Sequence, residues 1–198
     1  MSSLFHSLIA DFPKLVRAMV YFEQKEESVP LPALVELKDV LHHVVVFADA
    51  FLKEDQQKQN EQITNVKEHF RRGIIETYQQ AYEQLAGFIF DLYSKYRYRA
   101  KVYEKVFFLD KKFAKIHKSI EENIQIAKDL WVKGRELKNF ESESADFNNS
   151  IDNFRKAYDI LKQTEPLVNE LWATFNQRVF YSVAFFVVII IVFLIFVL

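Results

Sequence analysis

The run from Phe180 to Leu198 holds no charge, no proline and no glycine: F-Y-S-V-A-F-F-V-V-I-I-I-V-F-L-I-F-V-L. At ~1.5 Å of rise per helical residue it is ~29 Å long, close to the ~30 Å hydrocarbon core of a bilayer. Each Leu, Ile, Phe or Val near the centre of such a helix favours insertion by about 0.3–0.6 kcal/mol. Ser182 is the one clearly polar side chain in the run, and a serine hydroxyl can bond back to its own helix. A buried helix of this composition would need cover on every side, more than a domain of this size supplies. The expectation is a single C-terminal transmembrane helix, residues 179–198, anchoring a domain of residues 1–178.

Orientation follows from the flanks. Arg178 stands just before the apolar run and no Lys or Arg follows it, with Tyr181 at the same edge. Positive residues are retained on the cytoplasmic side and tyrosines favour the interface. A single-pass protein with its N-terminal domain in the cytoplasm is therefore expected, the membrane itself being left open. The first residues, M-S-S-L-F-H-S-L-I-A-D-F-P, have no basic segment and carry Asp11 early, unlike a secretory signal. With no cysteine in the chain, disulfides and thiolate metal sites are excluded.

Apolar residues make up 50% of the chain and charged residues 27%, as in a folded protein, but there are only 3 Gly and 4 Pro. So few turn-makers argue against β-sandwiches and α/β enzymes, which need turns at short intervals. Between the breakers Pro13, Pro30, Pro32, Gly73, Gly87, Gly134 and Pro166, apolar residues recur at three- and four-residue steps. Leu4, Leu8, Phe12, Leu15, Met19 and Phe22 mark a first helix that Pro13 bends or splits. A second spans Leu31 to Lys53, apolar on nearly all sides and expected at the centre of the core, with His42, His43 and Asp49 as buried, hydrogen-bonded interruptions.

The polar stretch Asp55–Gln62 reads as a loop or a frayed start. Val66, Phe70, Ile74, Tyr78, Leu85, Phe88 and Leu92 then mark a third helix. A turn is expected near Ser94–Arg99, because helices running on without a break to residue 137 are uncommon in small domains. Val102, Val106, Leu109, Phe113, Ile116, Ile120, Ala127, Leu130 and Leu137 give the fourth helix a heptad seam. Phe147, Ile151, Phe154, Tyr158, Leu161, Val168, Trp172 and Phe175 give the fifth one, with a restart expected at Thr164–Pro166. The fold class is all-α: an elongated antiparallel bundle of about five helices with a single C-terminal transmembrane helix.

Charge is concentrated in one block. From Lys95 to Lys118 nine basic residues stand against Glu104 and Asp110, a local net of +7 in a chain of net −1. Its first part, S-K-Y-R-Y-R-A-K-V-Y, interleaves Lys95, Arg97, Arg99 and Lys101 with Tyr96, Tyr98 and Tyr103. A solvated helix face, anionic lipid headgroups and nucleic acid all suit that composition. An antiparallel hairpin of the last two helices, bending near Glu143, brings this block close to the level of Arg178, which favours headgroups over nucleic acid.

Catalytic and metal motifs are wanting. No G-x-S-x-G, glycine-rich phosphate loop or Arg-x4-His pair occurs. Glu36, Asp39 and His43 share a helix face, but the paired Glu-x-x-His pattern of di-iron bundles is absent. No cofactor or metal site is read from the sequence.

A heptad helix leading into an anchor after an N-terminal bundle resembles the architecture of syntaxin-like SNAREs. The seam departs from a SNARE motif: it is short, carries Glu165 at its centre and is interrupted by Pro166. The expected function is a non-enzymatic scaffold, adaptor or tether that touches anionic headgroups and a protein partner, with homo-oligomers possible. Alternatives are an oligomeric membrane-active effector or pore former and a SNARE-like trafficking factor.

Overall fold

A computed structural model describes residues 6, 8–26, 28–107, 111–138 and 145–197, with side chains at 100–107, 111–113, 145, 196 and 197 excepted. Five α-helices account for nearly all of it: α1 (Phe12–Glu26), α2 (Leu31–Leu52), α3 (Gln56–Phe107), α4 (Lys111–Glu136) and α5 (Ala145–Val197). Among the described residues there is no strand. The long parallel helices α3 and α5 form the spine. The outer helices α1 and α2 pack on α3, while α4 packs on α5.

The helix ends have local causes. Pro13 falls in the first turn of α1, where its missing N–H costs nothing, and the Asp11 carbonyl accepts from the Lys14 and Leu15 amides. α2 ends on Glu54, whose φ of 55° is left-handed, while the Asp55 amide returns 2.9 Å to the Ala50 carbonyl. Asp55 then caps α3 through its carboxylate on the Lys58 amide at 3.0 Å. The polar stretch after it is thus the first part of a helix rather than a loop.

Two apolar clusters fill the interior. One joins α1, α2 and α3 to Phe147 and Phe154 of α5. The other joins α3, α4 and α5 around Tyr82, Ile89, Tyr96, Ile120, Leu161 and Leu171, with Phe22 of α1 at its edge. Each fully buried side chain of this size contributes about 1.5–3 kcal/mol. Tyr158 links the two ends of the chain, donating its hydroxyl 2.8 Å to the Glu26 carboxylate, and burial pushes its pKa up.

Four expectations are corrected. No turn interrupts residues 94–99, since α3 is continuous to Phe107; its long face rests on several partners, which replaces the stability a single long helix would lack. Pro166 lies inside α5 without ending it, and Thr164 is no cap, its hydroxyl donating 2.7 Å back to the Ile160 carbonyl. The glycines are not breakers either. Gly73 and Gly134 sit in helices at close approaches, where an added Cβ would meet Leu15 Cδ1 at 3.1 Å and the Phe154 ring at 3.0 Å.

The fourth correction concerns α2, which is peripheral. It buries Ala33, Glu36, Val40, Phe47 and Ala50, but Leu41 and Val45 on its other side are 66% and 69% exposed. His42 and Asp49 are exposed as well, Asp49 accepting from Lys53 Nζ at 2.8 Å.

Candidate functional site

The parallel register of α3 and α5 places the basic block. The Arg155 guanidinium lies 5.9 Å from the Tyr78 ring, and Phe175 meets Tyr96 edge-on at 5.6 Å. Continued at ~1.5 Å per residue, that register sets Arg178 about level with residues 99–101. Residues 95–99 therefore sit within about two turns of the point where α5 becomes wholly apolar.

Within the block the side chains divide by helix face. Tyr98 is 77% exposed, and Lys95, Arg97 and Arg99 are exposed beside it. Lys95 Nζ pairs with Asp91 on its own helix at 2.6 Å, and Arg97 reaches Glu121 of α4 at 3.6 Å. Arg99 stacks on the Trp172 ring at 5.7 Å. Exposed pairs of this kind are worth about 0–1 kcal/mol, so a phosphate can replace the carboxylate at small cost.

Tyr96 does not belong to this surface. It is 1% exposed, wedged against Trp172 and Phe175, because residues two apart in a helix point to nearly opposite sides. The side chains of Lys101 and Tyr103 lie outside the described residues. Arg178 is half-buried, and exposed Tyr181 meets Phe180 edge-on at 6.0 Å. Trp172 and Glu121 were not legible as partners of this face, since both come from other helices.

Beyond Arg178, α5 leaves the bundle without a break. Every described side chain from Phe180 to Ile195 is exposed apart from half-buried Ser182. One helix is thus long and apolar enough to cross a membrane, and none of its apolar stretch is covered by the rest of the chain.

A polar cluster occupies the opposite end, where α2 faces α3. Glu36 is buried, and its Oε2 accepts from His69 Nδ1 at 2.6 Å. Its Oε1 lies 3.8 Å from the Arg72 guanidinium. His43 stacks on His69 at 5.0 Å between centroids, with its own Nδ1 2.7 Å from Gln62 Oε1. The sequence hid this grouping because a His and its carboxylates come from different helices. The chain matches no family model, no curated protein and no solved structure.

Proposed function

We propose that this protein is a single-pass, membrane-anchored helical scaffold or tether with no catalytic role of its own. The observation that carries the reading is the uncovered apolar stretch of α5, from Phe180 to Ile195, running straight on from a packed bundle helix. Left in water, such a surface far exceeds what soluble chains expose. A bilayer satisfies it, and a helix pairs its backbone groups along its own length, as a hydrocarbon core requires.

The cytoplasmic orientation is supported by Arg178 before the span and by the basic block beside it. Among the described side chains at this level, Lys95, Arg97, Tyr98 and Arg99 are exposed toward anionic headgroups, each cation near such a leaflet being worth about 1 kcal/mol. The groove lined by Phe90, Tyr93 and Ile124 is open between helices.

Liposome flotation of the chain truncated after Val179, checked for helicity by circular dichroism, tests the headgroup contact. Binding to anionic vesicles should be strong at low salt and fall away at high salt, since exposed charges are screened within ~8 Å at physiological ionic strength. Arg97, Arg99 and Lys101 changed together to Glu should abolish it, and the same change at Lys128, Lys133 and Lys138 should not. Equal behaviour of the two triple variants, or equal binding to neutral vesicles, would leave the block an ordinary solvated face.

A further inference from the structure

Glu36, Asp39 and His69 each offer one ligand atom, and these three atoms lie within 4.8 Å of one another. Glu36 and Asp39 are one turn apart on α2, so their carboxylates point the same way, while His69 comes across from α3. Gly73 makes the approach close: a Cβ there would press on Glu36 Cβ at 3.3 Å. This is not an exposed acidic patch. Glu36 is buried, and Asp39 and His69 are half-buried.

His43 adds a second imidazole. Its Nδ1 donates to the Gln62 carbonyl oxygen at 2.7 Å, and that bond leaves the lone pair on Nε2, the form that binds a metal. The ring is held parallel to that of His69, with 30° between planes. His43 thus braces the His69 ring, and two carboxylates with one imidazole form a donor set that suits a transition metal.

We propose that Glu36, Asp39 and His69 bind a divalent transition-metal ion of the Zn²⁺ class, pinning α2 to α3. Imidazole with carboxylate suits Zn²⁺ or Co²⁺ rather than Mg²⁺ or Ca²⁺, which take all-oxygen shells. Three protein ligands leave a fourth position for water. On binding, His69 Nδ1 gives up its proton, to Nε2 or to solvent, and its lone pair goes to the metal; Glu36 exchanges that N–H for the ion. The site would fasten a helix whose other side is apolar and uncovered. It goes beyond membrane anchoring and does not depend on it.

The test uses the full chain in detergent micelles, stripped with a chelator. Zn²⁺ is titrated calorimetrically and Co²⁺ by its visible d–d absorption. One equivalent should bind, Mg²⁺ should not compete, and the thermal midpoint should rise with Zn²⁺. His69→Gln should weaken binding by at least ~100-fold, since changes to mere outer-shell partners already cost about 10–100-fold. Asp39→Asn should weaken it with the metal-free circular dichroism unchanged, so loss of fold cannot be the cause. His117→Gln, on α4, should bind as the native chain does. No Zn²⁺ uptake above a detergent blank, or native affinity in the Asp39 and His69 variants, would overturn the site; effective competition by Mg²⁺ would overturn the metal class.

Discussion

Two stretches of this chain are apolar on nearly all sides, and the molecule treats them differently. α2 keeps Val40, Phe47 and Ala50 against α3 and leaves Leu41 and Val45 outside. Residues 180–195 of α5 keep nothing inside. The difference lies in what interrupts them. α2 contains Glu36 and His43, whose polar groups find partners on α3, and Asp49, which pairs with Lys53 at the exposed end of the helix. The α5 stretch contains nothing that needs water, so no aqueous face is imposed on it. Mean apolarity alone does not place a helix; the positions of its few polar residues do.

The sharpest way to break this contrast is to put a charge on each face of α2. Val40→Asp, at a buried position, should destabilise the chain by about 3 kcal/mol or more, because an unpaired carboxylate would be desolvated. Val45→Asp, on the exposed face, should stay within about 1 kcal/mol. Phe154→Asp, fully buried in α5, should match the first. Chemical unfolding of the three variants measures this. Equal midpoints for Val40→Asp and Val45→Asp would mean that the two faces of α2 are not distinct.

A smaller effect separates the glycines. Gly134→Ala should cost about 1–3 kcal/mol, since its Cβ would press on the Phe154 ring. Gly87→Ala meets nothing within 4 Å and should gain about 0.5–1 kcal/mol from helix propensity alone. Thermal melts with opposite shifts are expected. Shifts of the same sign would contradict the close approach of α4 and α5.

Much of this architecture was legible in the residues. The limits of α2, the seam from Phe147 to Phe175 and the apolar run after Arg178 followed from periodicity. The misread positions share a cause: local signals were given weight that tertiary contacts overruled. S-K-Y-R-Y-R contains no helix breaker, and α3 runs through it because Tyr93 and Tyr96 are needed on the buried side. The alternation of bases and tyrosines looked like one surface, but a helix turns Tyr96 inward and Tyr98 outward. Phe88, expected in the seam, is exposed, and Ile89 takes its place. Pro166 looked like a boundary, yet one missing amide does not outweigh burial of Leu161, Val168 and Leu171 around it. The Glu36–His69 pairing could not be found by spacing, because it joins residues 33 positions apart on two helices.

The central claim is that the apolar end of α5, and not the apolar face of α2, holds this protein in a bilayer. Alkaline carbonate extraction of microsomes carrying the full chain tests it most directly. The native chain should stay with the membrane. Ile189→Lys with Val192→Lys should release it, since two lysines at mid-span cost about 5–7 kcal/mol, whereas Leu41→Lys with Val45→Lys should leave it in place. Retention of the chain with the span lysines, or release of the native chain, would contradict the account.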